Sequence, residues 1–278
     1  SSPQLLMLSG IGNAQELKGH NIEVINNLVG VGRNLQDHLQ ARPVFKTNLP
    51  TLNSEAKNYF GKIRLILEYL VSRSGPMSMA ASLGVGFLKT SKSLSSPDIQ
   101  FHIQPFSVED PTKGTHRFSA FTTSVTQLRP KSMGCIKLKS SNILDYPLIY
   151  PNYLNHNYDK EILIKGVQVA LKIASLDPLK SSLTGIHSPR NINPQDKARI
   201  LNWIRQNAVT IYHPVGTCKM GSDKLAVVNE RLLVHGVRSL RVVDASIMPK
   251  ITSGNTNAPT LMIGEKAADM ILKDNKND

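Results

Sequence analysis

Between residues 55 and 73, Ile63, Ile66, Leu67 and Leu70 recur at the spacing of one helix face, and Gly75-Pro76 closes the run. The pattern predicts a helix there. From 84 to 140 the period changes to two. Ile99, Phe101 and Ile103 alternate with Gln100, His102 and Gln104, and Ile136 and Leu138 alternate with Lys137 and Lys139. Such alternation predicts strands of an antiparallel sheet with one buried and one wet face, which places His102 on the wet face. The helical period returns over 159–173, with Ile162, Leu163, Val169, Ala170 and Ile173 apolar. Asn193-Pro194-Gln195-Asp196 then reads as a helix start, leading through Ile200, Leu201 and Ile204, where Trp203 packs.

The two ends read differently. Leu5 to Leu8 is a short helical run stopped by Ser9-Gly10-Ile11-Gly12, and a second glycine turn spans Gly30 to Leu35. Near the other end, Ser239 to Asp244 reads as a β-branched strand ending in a carboxylate. Thr252 to Asn257 is a Gly- and Asn-rich turn, and Pro259 opens a last helix through Ile271 before a polar tail, 272–278. The class is α+β: an antiparallel sheet carrying helices, with smaller elements at both ends.

Composition narrows the function. The 278 residues are 40% hydrophobic and 19% charged, as in a globular chain able to bury a large core. The net charge of +13 raises nucleic acid as a partner, but Lys and Arg are dispersed, aromatics are only 5% and no nucleic-acid motif is present, so nucleic acid is set aside. Anionic lipid, an acidic partner or an anionic cofactor accounts better for the charge, as does a chain that is part of a larger, balanced protein. No run approaches the roughly 20 apolar residues of a membrane span. The chain opens on Ser1-Ser2-Pro3 without a methionine or a signal-like run, the expectation for a piece or a processed product. A cytoplasmic or peripheral membrane location follows. Cys135 and Cys218 stand in no paired or metal-like spacing and are expected to be small buried hydrophobes.

Two stretches carry candidate chemistry. In Tyr212-His213-Pro214-Val215-Gly216-Thr217-Cys218 an imidazole precedes a proline that holds it extended, on a loop shaped by glycine. His213 reads either as a general base or as a histidine that organises the loop. A metal reading of His213 and Cys218 lacks a third ligand and is rejected. In the second stretch, Asp244 and the helix start after Asn255 either cradle an anionic cofactor or form an ordinary strand–loop–helix link. The glycines at 30–32 match a dinucleotide fingerprint only in part, and Ser9-Gly10-Ile11-Gly12 is not a nucleophile elbow.

Seven stretches, in order, resemble the glucose–methanol–choline (GMC) oxidoreductase family, its choline dehydrogenase-like branch above all. They are Ser2 to Gly12, Gly32-Arg33-Asn34-Leu35-Gln36-Asp37-His38, Leu128 to Gly134, Pro151 to Leu154, Tyr212 to Gly221, Leu240 to Pro249, and Ser253-Gly254-Asn255-Thr256-Asn257-Ala258-Pro259 on to Ala268. The resemblance covers Ser2 to about Ile271. It implies the C-terminal half of an FAD-dependent alcohol dehydrogenase or oxidase, inactive without an N-terminal FAD-binding half that these residues do not include, or else a truncated remnant that only binds. Its implied divisions are 1–40 as a segment of the FAD-binding domain, 41–210 as the substrate-binding domain, and 211–278 as the active-site loop and C-terminal FAD-binding segment. His213 would be the base that takes the alcohol proton, and Asn255 would hold the substrate oxygen. Asp244, Ala245, Asn255, Thr256 and Asn257 would line FAD. The implied partners are a small alcohol, the other half of the enzyme, and a quinone or other electron acceptor.

Overall fold

The computed structural model describes residues 1–80, 82–109 and 114–274. Its helices are α1 (Ser2–Leu8), α2 (Ala14–Gly19), α3 (Leu52–Glu55), α4 (Tyr59–Ser72), α5 (Asn157–Ala174), α6 (Lys197–Asn207) and α7 (Asn257–Asp274). Its strands are β1 (Ile11–Gly12), β2 (Asn26–Asn27), β3 (Leu39–Ala41), β4 (Val44–Thr47), β5 (Gly84–Leu88), β6 (Ile99–Gln104), β7 (Ala120–Gln127), β8 (Cys135–Lys137), β9 (Leu148–Tyr150), β10 (Leu183–Ser188) and β11 (Val209–Thr210). Among the described residues no helix is long and apolar enough to cross a membrane. Residues 110–113 of the expected strand region and 275–278 of the polar tail lie outside the described residues.

The chain forms two compact units, and the boundaries differ from those expected. One unit joins Ser1–His38, Leu128–Asp159 and the chain from Thr210 onward; the other joins Leu39–Gln127 and Lys160–Val209. The surprise is 128–159, which the sequence reading assigned to the substrate-binding segment. Backbone pairing explains the change. Leu35 and Gly134 exchange hydrogen bonds of 3.0 and 2.8 Å, and Ile136 N donates to Gly32 O at 2.7 Å. β8 then pairs antiparallel with β9, and Leu138 enters a core with Leu6, Ile11, Val215, Val228 and Ile263. The core thus draws on both ends of the chain and on its middle.

In the other unit β7 is the axis of an antiparallel sheet. β6 lies along one edge of it with β5 beyond, β4 and then β3 share the opposite edge, β10 lies outside β4, and β11 follows β3 where the chain leaves the unit. Helix α5 lays Ile162, Leu163, Val167 and Ala170 into the core, while Ile173, expected on that face, is exposed. The helix expected over 55–73 is interrupted: Asn58 is extended and its side chain accepts from Gly61 N at 2.8 Å, starting α4 afresh. Ile63, Ile66, Leu67 and Leu70 do share a face of α4, but that face meets solvent and Leu65 is the buried residue. Helix α6 starts at Lys197 under an Asp196 cap, later than expected; Ile200 and Ile204 are fully buried, and Trp203 donates Nε1–H to Ser188 Oγ at 3.0 Å.

Gly166 on α5 marks how closely helix and sheet approach. A Cβ there would lie 2.3 Å from Val125 Cγ1, a stiff, fully buried side chain. Gly166→Ala would gain about 1 kcal/mol of helix propensity, yet it is expected to lower stability by about 1–3 kcal/mol through overpacking, read as a lower urea midpoint.

Candidate functional site

The site grows from the segment Gly32 to His38. Gly32 and Asn34 take positive φ (79° and 61°), so the chain turns and then runs extended. Gln36 exchanges backbone hydrogen bonds with Val215 at 3.1 and 2.9 Å, laying this segment against the His213 loop. The buried Gln36 side chain donates to Asn34 Oδ1 at 3.0 Å and Pro249 O at 3.1 Å, and accepts from Ile251 N at 3.2 Å. Asn34 Nδ2 lies 3.2 Å from Gly216 O. Gly216 has φ +91°, and a Cβ there would sit 2.5 Å from Asn34 O, so only glycine permits the approach.

Asp37, nearly buried, gathers four donors. Its Oδ1 accepts from the backbone N–H of His38 and of His213, each at 2.9 Å. Its Oδ2 accepts from Thr210 Oγ1 at 2.5 Å and from the Tyr153 hydroxyl. Burial and this bond raise the Tyr153 phenol well above its ordinary range. His38 is fully buried. Its Nε2 lies 3.1 Å from Leu128 O and its Nδ1 lies 3.0 Å from His213 Nδ1, with the rings edge to face. Burial drives His38 down to about 4, and the neighbouring His213 pushes the same way. Burial also lowers His213, half-exposed, against the opposing pull of Asp37. Both imidazoles are therefore neutral at pH 7, and an imidazole of that kind takes a proton.

Of the residues singled out from sequence, His213 and Asn255 come together: Asn255 Nδ2 stands 3.5 Å from His213 Nε2, at the outer limit of a hydrogen bond. Asp244 does not end a strand. Arg241 makes a single bridge with Leu233, and Asp244 caps a 3-10 turn over Ala245–Ile247, accepting from Ser246 N at 2.7 Å and from the Ser2 hydroxyl. The turn lies alongside the His213 loop, with Cys218 N donating to Ser246 O at 2.9 Å and Met220 N to Ile247 O at 2.7 Å. Thr256 is buried and its carbonyl accepts from Thr260 N at 3.0 Å and Thr260 Oγ1 at 2.7 Å, while Asn257, exposed, begins α7. Cys218 is buried as expected, its thiol pushed up to about 12 by burial, whereas Cys135 is half-exposed on β8.

Sequence reasoning assigned no role to Asp37, His38, Gln36, Asn34 or Tyr153. The signal was a polar run interrupted only by Leu35, too polar to be a core strand, inside a stretch already noted. It also placed His102 on a wet face. His102 is half-buried, on a sheet face shared with Gln100, Ser124 and Thr126, where the buried Ser124 and Thr126 hydroxyls find no partner among the described residues.

Residues 130–264 match the family described as GMC oxidoreductase. The chain is 40% identical to an alcohol dehydrogenase (acceptor) of Pseudomonas putida, over 98% of this chain and 50% of that protein. It is 41% identical to the mitochondrial choline dehydrogenase of Mus musculus, over 98% of this chain and 46% of the relative. It superposes on a formate oxidase of Aspergillus oryzae, studied for its FAD modification, with a TM-score of 0.90 at 25% identity, covering 99% of this chain and 53% of the other. The chain thus spans about half the length of the relatives it matches.

Two outcomes follow from the Asp37–His38 arrangement. Because the folded pKa of His38 is depressed, its contribution to stability is present above its unfolded pKa of 6.5 and is lost as pH falls toward 4. The loss is about 3 kcal/mol. Urea titrations across this window are expected to show a slope about one proton smaller in His38→Gln than in the wild-type chain. Asp37→Asn keeps the shape but turns an amide donor toward donors, and is expected to cost about 2 kcal/mol or more in the same measurement at pH 7.

Proposed function

We propose that this chain, whose residues 130–264 match the GMC oxidoreductase family and which is about 40% identical to alcohol and choline dehydrogenases of that kind, supplies the proton-handling and substrate-orienting half of an FAD-dependent enzyme that oxidises a CH–OH group to an aldehyde or ketone. The observation that carries this reading is the convergence of His213 Nε2 and Asn255 Nδ2 at 3.5 Å, on a loop whose imidazole is neutral at pH 7. A hydroxyl seated at both atoms can give its proton to the imidazole and keep its oxygen against an amide donor.

The residues present fit the ring portion of FAD. Helix geometry leaves the Asn257 and Ala258 N–H groups without partners inside α7, at the positive end of an 18-residue helix, as an electron-rich ring edge requires. Thr256 and Asn257 would hold that edge, with Asp244 and Ala245 along the adjoining turn. When bound, FAD supplies the two-electron acceptor for the hydride of the carbinol carbon. The proton goes to His213 Nε2, the C–H bond breaks with its electron pair, and the C=O bond forms. Asn255 orients the oxygen throughout.

Adenine and pyrophosphate need a partner of comparable length, the flavin-binding half of the enzyme. The chain's span of half its relatives supports this. So does a cavity of about 770 Å³ beside Asp37, Tyr153 and Pro214, edged by the exposed Leu144, Tyr146 and Tyr212.

With the flavin-binding half supplied and the complex loaded with FAD, alcohol-driven bleaching of the flavin band is expected to slow by about 10²–10⁴-fold in His213→Ala. In Asn255→Ala it is expected to slow by about 10²–10³-fold. Flavin retention should be unchanged in His213→Ala. Undiminished bleaching by His213→Ala would remove the base from this histidine.

A further inference from the structure

The structure assigns His38 as a positioning residue: it locks His213 in the tautomer that carries its proton on Nδ1, so that Nε2 presents a bare lone pair toward Asn255. This deepens the reading of His213 as the base and rests on it for its catalytic meaning.

The argument is one of donors and acceptors. A carbonyl oxygen only accepts, so the 3.1 Å contact with Leu128 O requires the proton on His38 Nε2. A neutral imidazole has one N–H, so His38 Nδ1 is left as an acceptor. It faces His213 Nδ1 at 3.0 Å, and the only group that can complete that contact is an N–H on His213. A neutral His213 then has no proton on Nε2. The reverse assignment places two lone pairs, or two N–H groups, against each other at 3.0 Å. Full burial keeps His38 neutral, its pKa near 4 leaving it uncharged across the working range.

The spacing of the rings is itself imposed, because Asp37 Oδ1 holds the backbone N–H groups of both histidines at 2.9 Å. The titratable and charged groups around the pair are Asp37, whose other oxygen is taken by Thr210 and Tyr153, and the two imidazoles themselves; the Leu128 and Thr252 backbones complete the His38 surroundings. A neutral acceptor behind His213 also differs from a carboxylate there. When His213 has taken a proton, His38 still accepts from Nδ1 but adds no negative charge, so the imidazolium remains a ready proton donor.

Long-range ¹H–¹⁵N correlation spectra of the labelled 278-residue chain at pH 7.5 test this without flavin or alcohol, with His213→Gln identifying the resonances. The expected result is an unprotonated Nε2 on His213 and an unprotonated Nδ1 on His38. His38→Gln, whose amide can accept from His213 and donate to Leu128 O, is expected to preserve the His213 tautomer. His38→Leu is expected to shift His213 toward the Nε2–H form. In the flavin-loaded protein, bleaching is expected to slow about tenfold or more in His38→Leu and to recover in His38→Gln. A wild-type His213 protonated on Nε2 would overturn the assignment, as would an unchanged tautomer in His38→Leu. If His38→Leu fails to fold, the wild-type and His38→Gln spectra decide. If His213 proves not to be the base, the spectra still decide the tautomer, so the two ideas fail separately.

Discussion

The carboxylate of Asp37 is the constraint on which the site depends. It is nearly buried, and among the described residues no Lys or Arg pairs with it. It is held by two backbone N–H groups and two hydroxyls drawn from separate stretches of the chain. A buried charge satisfied in that way is expensive to disturb, because removing any donor leaves part of the charge unsolvated. That expense ties His213 to His38, and it ties Thr210 and Tyr153 to both. The loop that carries His213 is placed by this hub and by the Asn34–Gln36 side chains.

The core of the first unit shows the same dependence at larger scale. Leu6 and Ile11 come from one end of the chain, Leu138 from the middle, and Val215, Val228 and Ile263 from the other end. None of these segments buries a stable core alone, so the hub and the hydrophobic core require the same three pieces. The antiparallel sheet belongs to the second unit, with its own buried residues around β7 and α5.

Burial sets the chemistry of the two imidazoles more than any neighbouring charge does. It lowers both, and the opposing pull of Asp37 is the weaker influence on each. A protein that needs a base near neutrality gains from this, since a charged imidazole could not receive a proton. Cys218, five residues after His213 in the same loop, is driven in the opposite direction by its own burial.

The sequence by itself determined the elements whose signal is local. The alternation at 98–104 and the caps and prolines before α6 and α7 describe backbone periodicity, and β6, α6 and α7 form where the pattern lies, within a few residues. His213 and Asn255 were also legible, through short stretches whose resemblance to a known family does not depend on what they touch. Only the tertiary structure decided the rest. That Asp37 would be a hub, that His38 would face His213, that 128–159 would join the chain ends, and that Ser239 to Asp244 would make one bridge instead of a strand all depend on contacts between residues up to 242 positions apart. A pattern of neighbours along the chain carries no record of such partners. The pairing of buried donors with buried acceptors, which fixes the site, exists only after the chain has closed on itself.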